Sequence, residues 1–561
     1  MSRLVAVLFC AALYSVVICE ERESKIVQTS QGPVRGYKDN EENIYTFYGI
    51  PYATAPTGLD RYKAPLPGPS WITPLDAVKE NTACPQAAIP EFIQLYHGID
   101  IKQDCLVANV YAPDTTDKNL PVLVVVHGGG FQGGHGNALK PKKIVATHNI
   151  ITVTFNYRLG IHGFLCLGTE NAPGNAGMKD QVALLRWVKM NIANFGGNPK
   201  DVTITGYSAG SASVELLMLS PMAKGLFNKV IAESGSALGT FAVQTDPLEN
   251  AQQLAKHFNI EHADDVYAIE EFYKSASFET ITSDPFFHAK DSSFAFSPCV
   301  ETDIGQEVFL ADSPSNILKS GNYEKLPLLV GFADSEGLLR FPLFETWKND
   351  MNEKFSDFLP VNLKFGNNEE KEKVAKEIKE FYFKDKKVDN DTVLSYIDFF
   401  SDALFTYSTL KAVEYNVNAG NDKVFVYFYD YVNELMPNIP YTNVKGAPHC
   451  AQTFAVFDGD LTFGGNEKDL PDNYKKHKAT VRQFWSNFIK TGVPVPEGSS
   501  LPAWPATSAD GSPYMLLGQT VELRYDALLQ ERRRLWETVY SRHYRAPSRP
   551  HLFGMNSRNE F

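Results

Sequence analysis

The chain is predicted to be an α/β protein: a central, mostly parallel twisted sheet with helices on both faces and helical cap insertions. Two observations predict it. Short β-branched runs alternate with amphipathic helical patterns through the middle of the sequence. The runs at 121–126 and 150–155 are also apolar or β-branched throughout, as expected of strands buried on both faces.

The elements follow in order. After those two strands, Val182, Leu185, Val188, Ile192 and Phe195 recur at helical spacing from Asp180 onward. Gly196, Gly197 and Pro199 then stop the helix. A strand is expected at 202–205, and a helix at 209–219 with Ala212, Leu216 and Leu219 along one stripe. A further strand is expected at 326–330. The stretch 261–420 is richer in charge and aromatics, with helical patterns near 368–384 and 396–415. It is read as cap insertions within one domain over 20–545, ending in a tail at 546–561. No internal repeat or heptad run is found.

At 561 residues the chain can bury a large core. Its net charge of −13 and isoelectric point near 5.5 argue against nucleic acid or an anionic membrane surface as a partner. Arg3 and the apolar residues 4–19 read as an export signal cleaved before Glu20. No second apolar run reaches the roughly 18 residues of a membrane span. Seven cysteines become five when Cys10 and Cys19 leave with the signal. Asn390–Asp391–Thr392 is a glycosylation acceptor pattern. Oligomeric state has no signal in the sequence.

The chemistry begins at Gly206–Tyr207–Ser208–Ala209–Gly210. A hydroxyl presented on a tight strand-to-helix turn needs glycine two residues before and after it, because side chains there collide. About 0.2 chance matches to such a pattern are expected in a chain this long, so its position between a strand and a helix is what gives it weight. His127–Gly128–Gly129–Gly130–Phe131 follows the strand at 121–126. Its glycines let backbone N–H groups approach a reacting oxygen, so Gly129, Gly130 and Ala209 are candidate oxyanion donors. His127, ahead of that loop, is read as structural. Tyr207 and Phe131 are candidate walls of a substrate pocket.

A base and an acid are also required, in the order serine, acid, histidine. Of twelve histidines, His449, His477, His543 and His551 come late enough. His477 lies in a Lys-rich run read as a solvated basic cluster, and His543 and His551 lie in an Arg- and Pro-rich tail. His449, in the small-residue loop Gly446–Ala447–Pro448–His449, is left as the base. Asp334 and Glu336 both follow the strand at 326–330, and residue type leaves both open as the acid that holds the imidazole.

Together these motifs resemble the type-B carboxylesterases, the family that includes the cholinesterases, over about 32–517. The likeness includes Gly49–Ile50–Pro51–Tyr52–Ala53, Asp104–Cys105–Leu106, Asn156–Tyr157–Arg158–Leu159–Gly160, Phe195–Gly196–Gly197, Glu233–Ser234–Gly235 and Trp504–Pro505. The resemblance implies ester hydrolysis through an acyl-enzyme, with a small-molecule ester as substrate and no metal or cofactor. It places the acid at Glu336, where the family carries Glu-Gly. It also implies a Cys84–Cys105 bridge, adding about 3 kcal/mol in the chain-entropy model. Cys166, Cys299 and Cys450 are then left as buried, inert thiols.

Departures from the family pattern bear on substrate. Tyr207 stands where cholinesterases carry a glutamate, and the loop from Cys84 to Cys105 has no tryptophan, so a choline site is poorly supported. Juvenile hormone esterases carry glutamine at position 207. A tyrosine there is similar to some insect, especially moth, esterases. After His449, Cys450–Ala451–Gln452 lacks the acidic residues common in the family. The reading is a secreted carboxylesterase acting on neutral esters. The rival is a slow scavenger that is acylated at Ser208 but barely turns over.

Overall fold

Val122, Val124 and Val126 point to one face of their strand, and Leu123 and Val125 to the other; both sets are buried. That double burial explains the continuous apolar run. In the computed structural model, residues 22–86, 98–282, 289–458 and 467–550 are described. The main sheet is built from β1 (Ser24–Gln28), β2 (Pro33–Lys38), β3 (Ile44–Pro51), β4 (Val107–Pro113), β5 (Leu120–Val126) and β6 (Ile151–Phe155). It continues through β7 (Gly197–Tyr207), β8 (Lys229–Glu233), β9 (Leu328–Ala333), β10 (Val424–Tyr429), β11 (Tyr514–Leu517) and β12 (Val521–Arg524). Their spatial order is β1-β2-β3-β4-β6-β5-β7-β8-β9-β10-β11-β12. From β6 to β11 every neighbour is parallel. The flanking pairs are antiparallel.

The helices that bear on the site are α1 (Ala176–Asn191), α2 (Ala209–Leu219), α3 (Pro314–Ser320), α4 (Asn368–Phe383), α5 (Val393–Ser401), α6 (Tyr407–Asn418), α7 (Asp472–Thr491) and α8 (Gln530–His543). Leu184 and Val188 of α1 and Leu216 of α2 pack with Val122, Val124 and Ile204 on one face of the sheet. Phe484, Trp485 and Phe488 of α7 pack with Leu123, Ile231 and Tyr427 on the other. The helix expected at 396–415 is broken by a π-helical turn at Asp402–Thr406 into α5 and α6. The strand expected at 202–205 extends to Tyr207, which delivers the chain to the candidate nucleophile.

Two expectations are corrected. Cys166 and Cys299 are not inert thiols: they form a disulfide across 133 residues, alongside Cys84–Cys105. Sequence spacing carries no trace of so distant a pairing. Gly174 makes room for it, because a Cβ there lies 2.6 Å from the Cys299 sulfur and 2.7 Å from that of Cys166. Closing a loop of this length contributes about 5 kcal/mol in the chain-entropy model. Cys450 remains free and buried.

His477 is likewise not solvated. The amphipathic α7 turns His477 and Lys478 inward with Tyr474 and Val481. The imidazole stacks on Tyr431 with centroids 3.9 Å apart, and burial lowers its pKa to about 3.

The expected export signal lies outside the described residues. In the tail, the Ser548 N–H donates to the Thr245 carbonyl at 3.0 Å. Asn390 is exposed and begins the 3-10 turn Asn390–Thr392. Among the described residues, no helix is long and apolar enough to cross a membrane. A chain lacking residues 1–19 retains five cysteines. Thiol titration of it in guanidinium without reductant is expected to count one free thiol. A count of three would refute the second disulfide.

Candidate active site

Four parallel strands deliver the site at their carboxyl ends, the usual place for it in such a sheet. β7 ends at Tyr207, and Ser208 adopts φ 57° and ψ −123° before α2 begins. A Cβ on Gly206 lies 2.1 Å from the Gly210 carbonyl oxygen, and one on Gly210 lies 2.1 Å from that of Val126. Both glycines are therefore steric requirements of the turn. The Ser208 N–H is held by the Glu233 carbonyl at 2.9 Å.

The loop after β5 crosses the same turn. The Gly129 carbonyl accepts from the N–H groups of Gln132 and Gly133, both at 3.0 Å. The N–H groups of Gly129, Gly130 and Ala209 have no acceptor among the described residues. Ala209 opens α2, so its N–H is one of the unpaired donors of a helix start. His127 is buried and stacked on Tyr157 at 4.4 Å. Burial lowers its pKa to about 3, keeping the ring neutral in a packing role.

Asp334 and Glu336, which the sequence leaves open, receive different partners. Glu336 is fully buried. One of its oxygens accepts from the Ala333 N–H at 2.7 Å, and the other meets His449 Nδ1. Gly337 must follow it, because a Cβ there lies 2.0 Å from the Ile397 carbonyl oxygen. Asp334 instead accepts from the Ala447 N–H at 2.8 Å, while the Ser335 N–H donates to the Ala447 carbonyl at 3.1 Å. Asp334 thus ties the histidine loop to the acid loop. His449 Nε2 lies 2.8 Å from Ser208 Oγ, and the Phe405 ring stacks on the imidazole at 4.3 Å. The structure brings Ser208, His449 and Glu336 into one hydrogen-bonded chain.

Behind the serine, the surroundings are uncharged or readily protonated. Glu233 accepts from the hydroxyls of Thr205 at 3.0 Å and Thr453 at 2.9 Å, and burial raises its pKa to about 7. The Gln452 amide donates to Ser234 Oγ at 2.7 Å. Burial pushes the Cys450 thiol and the Tyr207 phenol well above their ordinary values. Phe131 is fully buried against Phe164, at 5.1 Å between centroids.

The family model of carboxylesterases matches residues 23–536. The chain belongs to the carboxylesterase family. This carboxylesterase is 33% identical over 511 residues to esterase FE4 of Myzus persicae, covering 86% of the chain and 87% of the relative. It is 30% identical to juvenile hormone esterase of Heliothis virescens, covering 90% and 93%. A solved juvenile hormone esterase from Manduca sexta, with OTFP covalently attached, superposes with a TM-score of 0.81 at 29% identity, covering 92% and 100%. The carboxylesterase is a carboxylic ester hydrolase with the doubly covered sheet of its structural neighbours.

Sequence reasoning missed Phe405, 44 residues before the histidine it covers, and the tie made by Asp334. Neither leaves a local pattern. It also gave Glu233 no role beyond the motif that carries it. Glu233 binds its proton more tightly when folded, with a pKa near 7 against an ordinary value of about 4.3. The folded state therefore holds more protons between these values, and the contribution of Glu233 to stability falls as pH rises through that window. Glu233→Gln is expected to show a shallower decline in Tm from pH 5 to 7.5 than the parent, measured by differential scanning calorimetry.

Proposed function

We propose that the enzyme hydrolyses neutral carboxylic esters through an acyl-Ser208 intermediate and that it works outside the cell. The observation that carries the reading is the chain from Ser208 Oγ through His449 to buried Glu336. Ser208 Oγ attacks the ester carbonyl carbon as its proton passes to His449 Nε2. Gly129, Gly130 and Ala209 donate to the oxygen that becomes negative. The tetrahedral species collapses, the carbon–alkoxy bond breaks, and His449 returns the proton to the departing alcohol. Water, deprotonated by the same imidazole, then cleaves the acyl-enzyme and releases the acid. Glu336 fixes the imidazole tautomer and stabilises the imidazolium.

Tyr207 puts a phenol next to Ser208 in the sequence, where cholinesterases carry a carboxylate, which favours an uncharged substrate over a quaternary ammonium. Two disulfides support an oxidising compartment. The covalent ligand on the Manduca sexta relative is in keeping with a covalent route. Insect esterase relatives leave odorant, dietary and xenobiotic esters as the substrate classes to be screened.

Steady hydrolysis of p-nitrophenyl acetate is expected from the parent and is lost in Ser208→Ala. Diethyl p-nitrophenyl phosphate is expected to add one diethylphosphoryl group at Ser208 by peptide mass spectrometry. A full burst followed by almost no turnover would instead identify a scavenger. Glu336→Gln is expected to lower kcat by on the order of 10³–10⁴ with little change in KM. Gly129 has φ 110°, and a Cβ there lies 2.1 Å from the Gly133 carbonyl oxygen. Gly129→Ala therefore displaces the donor loop, and kcat is expected to fall by about 10²–10³.

A further inference from the structure

A cavity of about 400 Å³ lies between α3, α6 and α8, within the size range of small-molecule sites. Leu238, Tyr407 and Ser408 are among its lining residues, the last two buried. Tyr407 stacks on Tyr540 with centroids 4.7 Å apart, so both offer aromatic ring surface to it, and the Tyr407 hydroxyl donates to Glu537 at 3.1 Å.

The charges in the lining are mostly committed. Lys411 is held by Glu414 at 3.0 Å and Glu537 at 2.9 Å, and Arg542 faces Glu377 at 3.4 Å. Lys319 is exposed and rests over the Tyr415 ring at 5.2 Å, with no carboxylate partner among the described residues. Four tyrosines in the lining, with one cation there that has no carboxylate partner, are complementary to an amphipathic carboxylate. Ester hydrolysis releases a carboxylic acid at every turnover, so this ligand class is present wherever the enzyme works.

The lining is also connected to the candidate base. The Ser408 hydroxyl donates to the Phe405 carbonyl at 3.0 Å, and the Phe405 ring stacks on His449 at 4.3 Å. Phe405 lies within the π-helical turn Asp402–Thr406, a backbone form often found at functional positions. A ligand pressing on Tyr407 and Ser408 therefore acts one hydrogen bond and one ring contact away from the imidazole.

We propose that this cavity is a second ligand site that takes an amphipathic carboxylate, its apolar body against Tyr407 and Tyr540 and its charge on Lys319. Occupancy alters turnover through Ser408 and Phe405. The effect on turnover rests on His449 as the base; the binding does not.

The test uses 2-naphthoate, followed by its fluorescence, with enzyme whose Ser208 carries a diethylphosphoryl group. Saturable one-to-one binding is expected, weakened at least about tenfold by Lys319→Glu and by Leu238→Trp, which adds bulk to the lining. With unblocked enzyme, saturating 2-naphthoate is expected to change kcat for p-nitrophenyl acetate and to leave kcat of Lys319→Glu unchanged. The proposal is overturned by no saturable binding to the blocked enzyme, by binding that both variants leave intact, or by an effect confined to KM. If the organophosphate does not label Ser208, the serine mechanism fails instead, and the titration is made on Ser208→Ala.

Discussion

The backbone at Ser208, with φ 57° and ψ −123°, is the constraint around which the rest of the site is arranged. A non-glycine residue in that region is costly, so its surroundings must hold it there. The Glu233 carbonyl fixes the Ser208 N–H, while Gly206 and Gly210 leave room for carbonyl oxygens at distances no side chain tolerates. Gly235 belongs to the same arrangement, because a Cβ there lies 2.4 Å from the Ser208 carbonyl oxygen. The cost of the turn is offset by the packing of β7 and α2 into the largest core cluster. What the strain achieves is geometric: the hydroxyl projects beyond the sheet, and the first N–H of α2 stays unpaired beside it.

The histidine depends on a different kind of support. Its loop, Gly446–Ala447–Pro448–His449, is made of small residues, and neighbouring segments position it. Asp334 and Ser335 bond the backbone of Ala447. Glu336 meets one ring nitrogen, and Phe405 covers the ring face. Two acidic residues two positions apart thus do separate work, one on the backbone and one on the imidazole. Burial raises the Asp334 pKa to about 7, which suits a group whose partner is a neutral amide.

Four strands of the sheet, β5, β6, β7 and β9, were legible because each is a local apolar or β-branched run; the remaining strands were not. Val122 to Val126 are apolar on both faces since helices cover both. Gly206 and Gly210 mark the turn since sterics allow nothing else there. Glu336 was not separable from Asp334 by residue type, because both carboxylates follow the same strand; only the family resemblance favoured one. His477 was misread because its lysine-rich neighbours look solvated in one dimension, whereas the helical period turns Lys475 and Lys476 outward and His477 inward.

By itself, the sequence indicated four central strands, the strand-to-helix turn at Ser208, the glycine loop and His449 as the candidate base, all read from local sterics, periodicity and order along the chain. Tertiary structure alone decided which contacts join residues far apart. Cys166 meets Cys299 across 133 residues, Phe405 covers His449, and Asp334 binds Ala447 rather than the imidazole. Nothing short-range encodes such pairings. They arise because a parallel sheet returns distant segments to the same end, where packing and hydrogen-bond satisfaction select the partners.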